Sequence, residues 1–127
     1  MKIALVAGGH LPIPPKGWGG VEHLIWNFHN QLKKIGDEVS IINTTSIDQI
    51  IEKLNSENFD AVHLHYDQYA NLMPHIKCNK RMVTSHYPYL ENPEPQYTFL
   101  YDLLNTSKSH IVCLSDRIKK EFLHRGS

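Results

Sequence analysis

Short apolar runs alternate along the chain with segments whose apolar residues recur at helical spacing. The runs predict five strands, and the first is continuously apolar, as parallel strands buried on both faces are. The strands are predicted at residues 2–8, 38–43, 59–65, 81–85 and 110–114. Strands that alternate with helices are typical of an α/β protein. We therefore expect a Rossmann-like parallel sheet of about five strands, flanked by helices in three layers.

The helices are predicted in the segments between the strands. After a loop rich in proline and glycine at residues 10–19, apolar side chains share one face of a helix that ends at Gly36. These side chains are Val21, Leu24, Ile25, Phe28, Leu32 and Ile35. Ser46 and Gln49 have the spacing of a capping box, which predicts a second helix to about Asn55. We also predict helical segments at residues 70–73, at 97–104 and after Ser115, and a second proline-rich loop at 87–95.

Length, charge and cysteine content argue against several classes of protein. A length of 127 residues and a hydrophobic content of 41% fit one domain with a buried core. Basic and acidic residues number 13 each, and this balance argues against a nucleic-acid-binding protein. No apolar stretch reaches the ~18 residues of a membrane span, and the N-terminal run is too short for a signal peptide. Since two cysteines make a poor disulfide framework, we expect a cytoplasmic protein whose membrane contacts, if any, are peripheral.

The loop after the first predicted strand ends in two adjacent glycines, Gly19 and Gly20. Glycines let the backbone approach a ligand closely, and the first N–H groups of a helix attract an anion such as a phosphate. An ordinary glycine-rich turn into a helix explains the same residues equally well. The loop matches neither the dinucleotide-binding fingerprint nor the P-loop, so the type of ligand stays open.

Histidine is abundant, with nine residues in the chain. His63 and His65 are two positions apart on a predicted strand, so their side chains point to one face. Together with His86 they suggest a zinc site, although a hydrogen-bonded core histidine is the commoner role on a strand. His86 follows the fourth predicted strand, where ligands of parallel sheets bind. It is therefore a candidate to hold a ligand hydroxyl or to transfer a proton.

Several segments together resemble family 4 glycosyltransferases. Residues 12–15, 19–22 and 32–39 are similar to the family's proline-rich loop, its Gly-Gly-x-Glu and its L-x-x-x-G-H-E-V, with Asp37 in place of the histidine. Three later segments are similar to D-V-V-H-x-H, V-x-T-x-H and I-x-x-x-S, at residues 59–65, 82–86 and 111–115. The resemblance covers nearly the whole chain in the correct order.

The resemblance implies the N-terminal, acceptor-side half of a GT-B enzyme that retains anomeric configuration and requires no metal or other cofactor. It implies that Gly19 and Gly20 approach the phosphates of a UDP- or GDP-sugar donor, and that His86 contacts the transferred sugar. Glu22 would help to shape the site of the acceptor, which is a glycan, a lipid or a small molecule. Ring-bearing side chains near the same loops are candidates for sugar contacts: Trp18, His65, Tyr66 and Tyr87.

The family's second domain, which carries the nucleotide pocket, has no counterpart in these 127 residues. We therefore expect the chain to be inactive alone and to need a C-terminal domain or a partner chain, and the exposed domain face favours self-association. Two other functions fit the same residues. One is a non-catalytic Rossmann-like module that binds a glycan or a nucleotide, and the other is a small zinc hydrolase that uses His63, His65 and His86.

Overall fold

The computed structural model describes residues 1–84, 86, 109–113, 116, 119 and 120. These residues form five parallel strands and the helices between them, which confirms the predicted Rossmann-like α/β fold. The strands are β1 (Lys2–Val6), β2 (Glu38–Ile42), β3 (Ala61–Leu64), β4 (Arg81–Thr84) and β5 (His110–Val112). They pair in the order β2-β1-β3-β4-β5. Strands β1, β2 and β3 end one or two residues before their predicted ends, and β3 begins two residues later than predicted.

Two α-helices and one 3-10 helix connect the described strands. Helix α1 spans Gly20–Lys34, helix α2 spans Ile47–Ser56, and the 3-10 helix spans Asp67–His75. The Ser46 hydroxyl accepts a hydrogen bond from the backbone N–H of Gln49, which is the cap that the sequence predicts for α2. The helical turn predicted at residues 70–73 is the middle of the longer 3-10 helix. The loop predicted at 87–95 and the helix predicted at 97–104 lie outside the described residues.

Alternate residues of the strands enter two separate cores, one on each face of the sheet. Ala4 and Val6 of β1 pack with Ile50 and Leu54 of α2, and the 3-10 helix covers the same face. Leu5 instead packs with Ile25 of α1 and with neighbouring apolar residues on the opposite face. Helices therefore cover both faces of the sheet, which makes the three predicted layers.

The apolar stripe of α1 is wider than the surface that it buries. Ile25 is fully buried, whereas Leu24, Phe28 and Ile35 are 40%, 41% and 76% exposed. The sequence pattern placed these residues on one face of the helix, and the structure shows that only part of this face is buried. A helix on a sheet buries a strip about one residue wide at each turn, so residues at the margin of a broad stripe stay at the surface. In the described part of the chain, no helix is both long enough and apolar enough to cross a membrane.

Candidate functional site

A cavity of about 540 Å³ lies at the carboxyl ends of the central strands. The walls come from the loop after β1, from the start of α1 and from the residues that follow β3 and β4. The lining residues are Gly8, His10, Leu11, Trp18, Gly19, Gly20, Val21, Glu22, His65, Tyr66 and His86. The cavity thus brings together the residues predicted to contact a donor, an acceptor or a sugar, except Tyr87, which lies outside the described residues; His63 of the alternative zinc site does not line it. Its volume is in the range of small-molecule sites, and its position is that of ligands in other open parallel sheets.

Side chains from neighbouring elements hold the loop after β1 in place. The Asn43 amide accepts a hydrogen bond from Gly9 N at 2.9 Å and donates one to the Leu11 carbonyl at 2.8 Å. The Tyr69 hydroxyl donates to the Gly8 carbonyl at 2.9 Å. Neither Asn43 nor Tyr69 is part of a recognisable motif, so the hydrogen bonds that they make to this loop could not be predicted from the sequence. Both residues keep the cavity wall fixed relative to the sheet.

The two positions at the start of α1 differ in whether the backbone conformation requires glycine. Gly19 has a φ of +126°, and a Cβ on it would lie 3.0 Å from Leu11 Cδ1 and 3.1 Å from Glu22 Oε2. Gly20 has no atom within 4 Å of an added Cβ. Glycine at position 19 is thus explained by the backbone alone, whereas glycine at position 20 leaves open space beside the helix start. A ligand that approaches the backbone at Gly20 would use that space.

The first turn of α1 combines backbone donors with an acidic side chain. The first hydrogen bond within the helix runs from His23 N to the Gly19 carbonyl, so the N–H groups of residues 20–22 have no acceptor within the helix. Such N–H groups favour an oxygen acceptor or an anion. Glu22 lies in the same turn and lines the same cavity. The helix start can therefore both donate to and accept from a polyhydroxylated ligand.

Three neighbouring histidine rings, those of His63, His65 and His86, form a ladder that leads from the sheet to the cavity. His63 Nε2 lies 2.7 Å from Thr84 Oγ1, which satisfies the buried imidazole within the core. The His63 and His65 rings are 4.0 Å apart, which confirms that the two side chains share a face. His65 and His86 are nearly parallel with their centroids 5.5 Å apart, and His65 Nδ1 lies 3.3 Å from His86 Nε2. The ladder thus ends at the residue that the sequence selects as the main candidate.

Burial keeps the inner two histidines of the ladder neutral. Loss of hydration lowers the pKa of His63 to about 4, with a smaller effect from the charge of His86. Loss of hydration also lowers the pKa of His65 to about 3, and the charges of His63 and His86 add to this. At neutral pH each ring therefore carries one N–H donor and one lone-pair acceptor, which suits hydroxyl groups better than it suits anions.

The aromatic candidates take different roles. Trp18 is 90% exposed beside the cavity, so its ring is free to stack on a ligand. Tyr66 packs edge-on against His10 at 5.7 Å and against Tyr69 at 4.7 Å, and it lines the cavity with one side of its ring. Tyr69 itself is 8% exposed and belongs to the core.

The geometry of the histidines does not fit a zinc site. His63 Nε2 already pairs with the Thr84 hydroxyl, and His65 Nδ1 pairs with His86 Nε2, so these nitrogens are engaged within the protein. Within residues 1–84 and the other described positions, no group of three His, Cys, Asp or Glu side chains could hold a metal ion. Burial also raises the pKa of the Cys113 thiol, which is unfavourable for a nucleophile.

Comparison with known proteins supports the fold. No family model matches the chain, and no curated protein matches it. Among solved structures, the fold is similar to that of AviGT4, a glycosyltransferase involved in avilamycin A biosynthesis, with a TM-score of 0.54 and 19% sequence identity. The similarity covers 68% of this chain and 32% of AviGT4, so the chain spans less than half of that enzyme. At this level of identity, the likeness establishes the arrangement of strands and helices.

Proposed function

We propose that the chain is the N-terminal, acceptor-side domain of a GT-B glycosyltransferase similar to family 4. The reaction would transfer a sugar from a nucleotide-sugar donor to a glycan, a lipid or a small molecule, with retention of configuration. The observation that carries the proposal is the cavity at the carboxyl edge of the sheet, where Gly20, Glu22 and His86 meet. The fold likeness to a solved glycosyltransferase supports the same function.

The chemistry of the cavity favours a carbohydrate over other small molecules. A sugar ring presents hydroxyls around its edge and C–H groups on its faces, so it needs both polar partners and a flat apolar surface. Glu22 provides a polar partner, and the exposed Trp18 provides the flat surface. A wholly apolar ligand would leave the carboxylate of Glu22 without a ligand partner.

Five of the cavity residues have a role in the proposed reaction. The backbone N–H groups at Gly20 would approach the donor phosphates, and His86 would contact the transferred sugar near the reacting carbon. Glu22 would accept hydrogen bonds from acceptor hydroxyls, while Trp18 and Tyr66 would stack on sugar rings. Donors fixed in advance around a departing diphosphate stabilise the charge that develops on it. The proposal therefore requires a UDP- or GDP-sugar as substrate and includes no metal or organic cofactor.

The nucleotide pocket of the donor would lie in a second domain. This proposal rests on the likeness to AviGT4, which is matched over 32% of its length. The second domain would come from further sequence or from a partner chain, and self-association would cover the same side of the cavity. Free Cys78 and Cys113 fit a reducing compartment, and we propose the cytoplasm on that basis.

Carbohydrate binding can be measured from the fluorescence of Trp18. We expect mono- and oligosaccharides from a mixed panel to change the emission of the wild-type chain, because a sugar would stack on this exposed ring. Trp26→Phe is the matched control, since Trp26 stacks on His29 along α1 and does not line the cavity. Its signal change should equal that of the wild type, whereas Trp18→Phe should lose the change and bind at least tenfold more weakly by calorimetry.

The same preparations should be incubated with UDP-, GDP- and ADP-sugars, with His86→Ala in parallel. We expect carbohydrate binding without nucleotide release from the chain alone. Release that depends on His86 would show that the chain is active without a second domain. Binding of nucleotides but of no carbohydrate would contradict the acceptor-side assignment and would favour a non-catalytic nucleotide-binding module.

A further inference from the structure

His65 is held rigidly between the sheet and the cavity. Its backbone N–H donates to the Val6 carbonyl at 2.9 Å, which ties the residue to β1 beyond the end of β3. Its ring packs between His63 and the edge of Phe28, and only 4% of the residue is exposed. His63 is fixed in turn by Thr84 on the next strand. The ring of His65 therefore offers a fixed nitrogen to whatever lies beside it.

The proton of His65 has only one nitrogen at which it finds an acceptor. The ring is neutral at pH 7, because burial lowers its pKa to about 3, so it carries a single N–H. Its Nε2 is buried and has no hydrogen-bond partner among the described residues, whereas its Nδ1 faces His86 Nε2. Buried N–H groups without acceptors are rarer in proteins than incompletely paired acceptors. The proton is therefore favoured on Nδ1.

We propose that His65 is a positioning residue for His86, and that its Nδ1–H donates to His86 Nε2 and so fixes both the ring and the tautomer of His86. With Nε2 occupied as an acceptor, the proton of neutral His86 lies on Nδ1. His86 would then meet a sugar oxygen as an N–H donor in a fixed direction. This extends the proposed function, in which His86 contacts the transferred sugar, but the hydrogen bond itself exists without any ligand.

Nitrogen-15 NMR of the ligand-free chain tests the tautomers directly. Protonated and bare imidazole nitrogens have well-separated chemical shifts, and two-bond couplings to the ring protons assign each nitrogen. We expect His65 to be protonated on Nδ1 and bare on Nε2, and His86 to be bare on Nε2. A proton on His86 Nε2 together with a bare His65 Nδ1 would overturn the proposal.

Two substitutions at His65 separate hydrogen bonding from packing. His65→Phe keeps an aromatic ring and removes both nitrogens, whereas His65→Asn places an amide N–H near the position of Nδ1. We expect His86 to keep its tautomer in His65→Asn and to shift towards the Nε2-protonated form in His65→Phe. An unchanged His86 spectrum in His65→Phe would contradict the proposal. If His65→Phe does not fold, the spectra of the wild type and of His65→Asn still test whether His86 has the proposed tautomer.

Thr84→Val is the control for general disturbance of the ladder. It removes the partner of His63 and leaves the contact between His65 and His86 in place. The His86 tautomer should therefore match the wild type. Loss of the tautomer in this variant would show that packing, and not the hydrogen bond, positions His86.

Sugar binding then connects the positioning residue to the proposed function. We expect about tenfold weaker binding in His65→Phe and partial recovery in His65→Asn, as for the loss of one well-placed hydrogen bond. If the spectra agree with the proposed tautomers but no carbohydrate binds, the proposed function fails and the positioning of His86 stands. If carbohydrates bind equally well to all variants, His65 does not act on the ligand through His86.

Discussion

The two faces of the sheet differ most where β3 and β4 run side by side. Towards α2, these strands bury Val62, Leu64 and Val83, which join one continuous apolar core. Towards α1, Ala61 and Met82 join the second apolar core, whereas the positions nearer the carboxyl ends are His63, His65 and Thr84, all less than 9% exposed. The same two strands thus contribute an apolar layer to one face and a buried polar layer to the other.

This difference shows how one short sheet serves both stability and binding. Apolar burial stabilises the fold by roughly 25 cal/mol for each Å² removed from water. Burying an imidazole costs free energy unless its nitrogens find partners. The apolar side chains on the α2 face therefore stabilise the fold, whereas the buried histidines contribute little to its stability. Substitutions on the α2 face should then lower stability more than ligand binding, and substitutions on the histidine face should do the reverse.

The largest effect on stability is expected on the α2 face. Leu54 is 2% exposed in the apolar core, and Leu54→Ala should lower the free energy of unfolding by about 2–5 kcal/mol, measured by urea denaturation. Ile47→Ala on the same helix is the control, because Ile47 is 44% exposed and should lose much less. The folded Leu54→Ala variant should bind sugars as the wild type does. Altered binding would mean that the two faces are coupled.

Acid should destabilise the folded chain through the buried histidines of the α1 face. The pKa values of His63 and His65 in the folded state, about 4 and 3, lie below the unfolded value of 6.5. The unfolded chain therefore takes up protons first, and the stability is complete above pH 6.5 and is lost as the pH falls towards 4 and 3. A pKa difference of one unit corresponds to about 1.4 kcal/mol. Urea denaturation at several values between pH 7.5 and 4.5 measures this loss.

Substitutions assign the acid sensitivity to particular residues. His63→Phe should reduce the slope of stability against pH between 6.5 and 5 by about half, since one of two buried imidazoles is removed. His75→Gln, at an exposed position, serves as the control substitution. Hydrogen bonds from Lys53 and Lys2 lower the pKa of the Glu57 carboxyl below 4.5, so the contribution of Glu57 to stability is lost only as the pH falls below 4.5. An equal slope in wild type and His63→Phe would contradict this account.

The smallest effects are expected at the entry to α1, which covers the histidine face. Gly19→Ala should cost roughly 1–2 kcal/mol, because alanine is strained at the φ of +126°. Gly20→Ala should be neutral or slightly stabilising, since the added methyl meets no atom within 4 Å and alanine favours helix. If a ligand approaches the backbone there, Gly20→Ala should still weaken binding. Thermal unfolding and calorimetry on both variants separate the two roles, and equal stability losses would refute the distinction.

Much of the fold and part of the site could be predicted from local patterns. The period of apolar residues gave the order of strands and helices, and Ser46 and Gln49 gave the start of α2. Parallel strands place their carboxyl ends at one edge, which explains why His65 and His86 meet in the cavity. These inferences depend only on residues close together in sequence or on the topology that all such sheets share.

The remaining features depend on contacts between distant residues. Asn43 fixes the loop at Gly9 and Leu11, more than thirty positions away, and no motif marks it. The exposed part of the α1 stripe depends on how much sheet surface lies beneath the helix. The strain at Gly19 but not at Gly20 depends on the path of the loop, which two identical residues cannot indicate.

The position of β1 has a consequence for the order of events during synthesis. Among the five described strands it is the first to leave the ribosome, yet it lies inside the sheet, with Ile3 paired to Val39 on one side and to Ala61 on the other. All of its inter-strand hydrogen bonds therefore await residues made much later. Until then, a short apolar strand with two open edges is accessible to other nascent chains and to chaperones. The period of greatest aggregation risk should end only when β3 has emerged.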